Sequence, residues 1–211
     1  MAKSSLFWEF VRKATHLGGL SIVVAYTLLL NFFSAHVAIL VLTALLLILL
    51  EIEYFRLEHR SRLVAAFDGM VRKHEMDHIS GAGFLVISCI ISFAAFDYWI
   101  ATMALFMTVF GDIFAALVGK AFGKTKITKN KSYVGTLAGF AANVIVGIMI
   151  LPEFLYLGIS MAIVATITEV ITNKLDDNLT VPLFAGFAGQ MIFLYFDLAL
   201  PPIDFTFLGF F

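Results

Sequence analysis

Residues 98–151 read YWIATMALFMTVFGDIFAALVGKAFGKTKITKNKSYVGTLAGFAANVIVGIMIL. An almost unbroken apolar run from Tyr98 to Val118 meets five lysines, Lys120, Lys124, Lys126, Lys129 and Lys131, and a second apolar run follows from Tyr133 to Leu151. Each run approaches the roughly 20 residues that a helix needs to cross the hydrocarbon core of a bilayer. Two spans joined by a short basic turn make a transmembrane hairpin, and the positive-inside rule places that turn in the cytoplasm.

The same pattern extends in both directions. Leu17 to Phe33, Ala35 to Phe55, Gly81 to Phe96, Phe154 to Thr172 and Val181 to Leu198 are further apolar segments, and with the hairpin they predict seven spans, the first and third of them short. All 14 Lys and Arg residues fall into four stretches. Lys3, Arg12 and Lys13 precede the first span, Arg56, Arg60, Arg62, Arg72 and Lys73 follow the second, the five lysines follow the fourth, and Lys174 follows the sixth. Asp97, Glu153, Asp197 and Asp204 occupy the opposite side. The N-terminus is therefore expected in the cytoplasm and the C-terminus outside. With 61% hydrophobic residues and a mean hydropathy of +0.98, the composition is that of a polytopic all-α membrane helix bundle, expected as one domain over 1–211. The net charge of −1 gives no reason to expect a nucleic-acid partner. Cys89, the only cysteine, lies in an apolar run, which excludes an intrachain disulfide and a cysteine-based metal site. The basic N-terminal stretch lacks a small-residue cleavage site and is expected to be retained.

Small residues recur at four-residue spacing in the hairpin: Gly111, Ala115, Gly119 and Gly123, then Gly135, Gly139, Asn143 and Gly147. Such stripes let helix backbones approach in a bilayer, where lipid tails give no hydrophobic drive for association, so the fourth and fifth helices are expected to pack together. Asp112 falls in the inner half of the fourth span, where an ionisable group is costly and calls for a cationic or metal partner inside the bundle. A structural salt bridge is the alternative. In the sixth span Glu169, Thr172, Asn173 and Asp176 are spaced to share a helix face, and Asp177 and Asn178 are read as closing that helix. An oxygen-rich strip of this kind suits Mg²⁺, which takes one or two carboxylates with water and phosphate, although Asp-Asp-Asn also reads as a solvated turn.

The lysines from Lys120 to Lys131 make an anion site, or a turn that touches anionic headgroups. Gly119-x-x-x-Gly123-Lys124-Thr125 looks like a Walker A loop, but it has three residues between the glycines where four are required, and no strand precedes it. A phosphate site here must be built from lysines and helix ends. Before the first span, Arg12 and His16 share a helix face beside Lys13; the bases suit a phosphate chain and His16 a hydroxyl or a proton, against the plainer reading of a snorkelling anchor. His36 and His59 are read as having no role. Glu51, Glu53, Arg56, Glu58 and Arg60 extend the second helix, and opposite charges three or four residues apart support that extension, most of it as a solvated face.

Taken in order, Arg12-Lys13-x-x-His16, Phe110-Gly111-Asp112 with Ala115-Ala116-x-x-Gly119-Lys120-x-x-Gly123, Lys131-Ser132-x-x-Gly135-Thr136, and Asp177-Asn178-Leu179-Thr180-Val181-Pro182 resemble the polyprenol kinase family. That family includes dolichol, phytol and farnesol kinases and the CTP-dependent diacylglycerol kinases of yeast type. The resemblance covers nearly the whole chain, although the chain is shorter than eukaryotic dolichol kinases. It implies transfer of the γ-phosphoryl group of CTP to a membrane lipid alcohol with Mg²⁺. The family motif positions fall on Arg12, Lys13, Asp112, Gly119, Lys120, Lys131, Asp177 and Asn178, with Lys124 and Ser132 beside them.

Phosphoryl transfer is mostly positioning and charge neutralisation, and it needs cations at the triphosphate, carboxylates for the metal and a path for the acceptor hydroxyl. The expected assignment gives Asp112, Asp176 and Asp177 to Mg²⁺. Arg12, Lys13, Gly119, Lys120, Lys124, Lys131, Ser132 and Asn178 go to CTP, and Glu169 or His16 takes the acceptor's proton. A phosphatidate cytidylyltransferase-like CDP-lipid synthase is the other enzyme reading, but the stretch after Asp177 lacks that group's basic and acidic pattern. A small transporter with Glu169 and Asn143 on a midplane path is the non-enzyme reading, with no inverted repeat to support it.

Overall fold

The computed structural model describes residues 18–59, 79–128, 131–172 and 175–203. Seven α-helices follow one another among these residues: α1 (Gly18–Phe32), α2 (Ala35–His59), α3 (Gly81–Ala95), α4 (Tyr98–Phe122), α5 (Tyr133–Ile150), α6 (Leu155–Ile171) and α7 (Asp177–Tyr195). A 3₁₀ turn, Pro152–Phe154, links α5 to α6. The described residues contain no strand, only an isolated bridge between Lys126 and Ser132. Five helices are long and apolar enough to cross a membrane, and α1 and α3 are the shorter apolar pair, so the polytopic helical bundle expected from the sequence is the fold.

Tight turns and polar caps set the helix boundaries. Asp97 accepts from the Trp99 N–H at 3.0 Å to start α4, Ser132 from the Gly135 N–H at 3.2 Å to start α5, and Asp176 from the Asn178 N–H at 2.9 Å to start α7. Each satisfies one of the N–H groups that a helix start leaves without an intrahelical acceptor. Ser80 does not cap α3 with its own side chain; its N–H is instead taken by Glu53 Oε1 of α2 at 3.3 Å. Glu53 also pairs with Arg56 at 2.6 Å, and both side chains are largely enclosed. The charged extension of α2 thus exists as expected, but Glu53 holds the start of α3 and Arg56 pairs with Glu53, rather than both forming only a solvated face.

α4 is the most enclosed of the long helices. One side of it, Ile100, Met103, Ala104 and Met107, packs with Val146 of α5, Leu157 and Met161 of α6, and Val181 and Ala185 of α7. Its other side, Ala101 and Leu105, packs with Val23 and Tyr26 of α1, Leu42 of α2, and Leu85, Cys89 and Phe93 of α3. Cys89 is fully buried there, the packing role read from the sequence. The expected α4–α5 contact is made through the glycines. A methyl group on Gly139 would lie 3.1 Å from the Gly111 carbonyl oxygen, and one on Gly135 would lie 2.9 Å from the Gly119 Cα. Gly147 departs from the stripe's expected partner, since its added methyl would meet Gly158 of α6 at 2.9 Å. The fifth helix uses one row of small residues to approach two neighbours.

Three of the boundaries that differ from the sequence reading bear on the site. α4 runs on to Phe122, which places Lys120 on the last helical turn instead of in the loop. α6 stops at Ile171, and Thr172 is extended, so Asp176 is not on a continuation of its face. Asp177 and Asn178 open α7 instead of closing α6, because Asp176 caps the new helix five residues before Val181. Pro182 then sits inside α7, where it has no N–H to give the Asn178 carbonyl.

Candidate functional site

The ends of α4 and α6 and the starts of α5 and α7 meet at the end of the bundle that carries the lysines. The turn from α4 to α5 folds back on itself. The N–H groups of Ile127 and Thr128 donate to the Lys131 carbonyl at 2.8 and 3.2 Å, the Tyr133 N–H donates to the Thr125 carbonyl at 3.3 Å, and the Lys131 N–H donates to Thr128 Oγ1 at 3.3 Å. Lys124 and Lys126 are exposed on this turn, and Lys120 is exposed beside it on α4.

The glycines under the turn are packing positions. A methyl group on Gly119 would stand 3.0 Å from Ser132 Oγ and 3.3 Å from the Gly135 Cα, and one on Gly123 would overlap Ser132. Ser132 itself is buried, with its hydroxyl oxygen occupied by the Gly135 N–H. Gly119 and Ser132, expected at the nucleotide, are thus found joining α4 to α5. Asn178 is buried as well, in the first turn of α7.

Lys131 occupies the junction of the helix ends. Its ammonium donates to the carbonyl oxygen of Glu169, to that of Thr172 at 3.4 Å and to Asp177 Oδ2 at 3.4 Å. Carbonyls at a helix C-terminus lack intrahelical donors and carry the negative end of the helix dipole, so a cation is well placed there. A second clasp lies alongside, where Thr180 Oγ1 donates to the Asp176 carbonyl at 3.2 Å and stands 3.4 Å from Thr172 Oγ1.

The carboxylates converge on the start of α7. Asp112 of α4 and Asp176 stand close enough for their charges to act on Asp177. Asp177 Oδ1 is buried and has no hydrogen-bond partner among the described residues. Asp176 spends Oδ1 on its cap, and among the described residues no three His, Cys, Asp or Glu side chains are grouped closely enough to hold a metal ion. The three carboxylates Asp112, Asp176 and Asp177 are therefore not assembled as one metal-holding set. One or two carboxylates are what Mg²⁺ ordinarily takes beside phosphate and water. Glu169 is half-buried near the end of α6, with Oε2 3.7 Å from where a Gly139 methyl would be. Arg12, Lys13, His16 and Asn173 lie outside the described residues.

The sequence reading missed two features. Lys131 points inward, unlike Lys120 and Lys124, and the only signal for this was its position next to the cap Ser132. Asn143, 1% exposed, donates from Nδ2 to Thr166 Oγ1 at 3.4 Å and lies against Gly111, so it joins α4, α5 and α6.

Several kinases of lipid alcohols are similar to this chain. It is 31% identical over 138 residues to phytol kinase 1, chloroplastic, of Arabidopsis thaliana, covering 56% of this chain and 45% of that protein. It is 33% identical over 138 residues to farnesol kinase, chloroplastic, of the same plant, covering 54% and 43%. With CTP-dependent diacylglycerol kinase 1 of Saccharomyces cerevisiae it shares 31% identity over 78 residues, 36% of this chain and 27% of that one. The chain spans less than half the length of these relatives. No family model matches it, and no solved structure does. The resemblance read from the motifs is borne out: the relatives are polyprenol and lipid kinases, at about 30% identity.

Proposed function

We propose that this chain, related to kinases of lipid alcohols, is a phosphotransferase that moves the γ-phosphoryl group of CTP to the hydroxyl of a membrane lipid alcohol at the lysine-bearing end of the bundle. The observation that carries the reading is Asp177 Oδ1, buried and without a hydrogen-bond partner among the described residues, with the Asp112 charge acting on its carboxylate and exposed Lys120 and Lys124 at the same end of the bundle. An intramembrane carboxylate oxygen without a donor is costly unless a cation completes it. Asp112 and Asp177 are the residues that would hold Mg²⁺, which when bound neutralises charge on the triphosphate oxygens.

Lys120 and Lys124 supply the fixed positive field for the nucleotide, with Arg12 and Lys13 expected on the same side. The lipid tail stays among the helices and its hydroxyl reaches headgroup depth. The acceptor oxygen forms a bond to the γ-phosphorus as the bond from that phosphorus to the β–γ bridging oxygen breaks, and CDP leaves. Glu169, near the end of α6, takes the hydroxyl proton on its carboxylate, and His16 is the other residue suited to this step. By the positive-inside rule this end of the bundle faces the cytoplasm.

The test is purified protein in mixed micelles with Mg²⁺, γ-labelled nucleoside triphosphates and a panel of phytol, farnesol, longer polyprenols and diacylglycerol. Label in one lipid, with CTP the preferred donor, is the expected result. No labelled lipid from any pair refutes the kinase reading, and pyrophosphate released when phosphatidate is added as the acceptor, in place of CDP, points to CDP-lipid synthesis.

A further inference from the structure

Resting on the phosphotransferase reading, we propose that Lys131 is a positioning residue that sets the Asp177 carboxylate, and that it does not contact the triphosphate. A lysine ammonium has three N–H donors. Three oxygens take them here: the Glu169 carbonyl, the Thr172 carbonyl and Asp177 Oδ2. The side chain is 19% exposed, whereas Lys124 is an exposed residue.

Both ends of this side chain are fixed. Its backbone is held by the turn, through the Ile127 and Thr128 N–H groups on the Lys131 carbonyl, and the next residue caps α5. Its ammonium is held by the end of α6. The remaining donor fixes Asp177 Oδ2, and Oδ1, buried and without a partner among the described residues, is left as the oxygen to receive a cation. Residues that orient a metal-binding carboxylate from behind act in this way, and their loss commonly costs about 10–100-fold in metal affinity or activity.

Two measurements on the full chain in detergent test the assignment. In the first, without nucleotide or lipid, the thermal midpoint is read for the parent protein, Lys131→Met, Asp177→Asn, the double variant and Lys124→Met. Lys131→Met is expected to lower the midpoint, the double variant to recover part of that loss because no charge is left uncompensated, and Lys124→Met to leave it unchanged. A midpoint for Lys131→Met equal to that of Lys124→Met overturns the proposal.

In the second, phosphoryl transfer is followed against Mg²⁺ and against CTP. Lys131→Met is expected to raise the half-saturating Mg²⁺ concentration about 10–100-fold at an unchanged KM for CTP. Lys131→Arg, which keeps the charge but not the geometry, is expected to restore the midpoint while leaving the Mg²⁺ requirement raised. A raised KM for CTP with unchanged Mg²⁺ dependence makes Lys131 a triphosphate contact and refutes the proposal. If the parent protein transfers no phosphate, the kinase reading fails, and the thermal midpoints still decide whether Lys131 holds Asp177.

Discussion

Replacing Gly135 by alanine puts a methyl group where α4 has backbone. The added carbon would lie 2.5 Å from the Ala115 carbonyl oxygen and 2.9 Å from the Gly119 Cα, against the 3.4 Å at which ordinary contact begins. Neither neighbour is a side chain that can swing away, so α4 and α5 must part by most of an ångström along their closest line of approach. Overpacking of this kind costs about 1–3 kcal/mol. Alanine also gains about 1 kcal/mol over glycine in a helix interior, which offsets part of the loss. Gly18→Ala is a control in another helix, since nothing among the described residues lies within 4 Å of its added methyl. The difference between the two variants isolates the packing penalty and is expected to be about 1–3 kcal/mol. Unfolding of the purified protein in mixed micelles by increasing SDS, followed by circular dichroism and intrinsic fluorescence, measures it. Equal stability for Gly135→Ala and Gly18→Ala refutes the close α4–α5 approach, and with it the placement of the turn and of Lys131.

Asp112→Asn is expected to abolish phosphoryl transfer while leaving helicity and membrane insertion unchanged, checked by the labelled-lipid assay beside circular dichroism; retained activity removes Asp112 from the site. Ser132→Ala removes the α5 cap and is expected to cost about 1 kcal/mol in the SDS titration, because the Gly135 N–H loses its acceptor. Lys124→Met is expected to raise the KM for CTP with little change in kcat, since an exposed lysine contributes to nucleotide binding through the field at the surface. Added salt should weaken CTP binding less in this variant than in the parent protein, as measured by steady-state kinetics at several ionic strengths.

The apolar runs and the lysine clusters made the bundle legible before any coordinates, since a span must satisfy its backbone internally and only a helix does so within one segment. The glycine stripes likewise announced the α4–α5 contact. What the sequence left ambiguous was the ownership of polar residues between spans. Asp176, Asp177 and Asn178 follow α6 at helical spacing, so they read as its end, yet Asp is also a favoured N-cap and Asp176 starts α7. Lys131 was indistinguishable by composition from Lys124, because its inward turn depends on carbonyls of Glu169 and Thr172 some forty residues away in the chain. Local pattern carries the element and its face. Which charge is used internally and which remains for a ligand is decided by contacts between elements.

Transfer from CTP labelled separately at the α and γ phosphates, with a lipid alcohol accepted in the panel assay, tests the central claim most directly. The account predicts γ label in the lipid, α label in CDP, and neither in lipid with Asp112→Asn. Label from the α position in the lipid, accompanied by pyrophosphate, would contradict it.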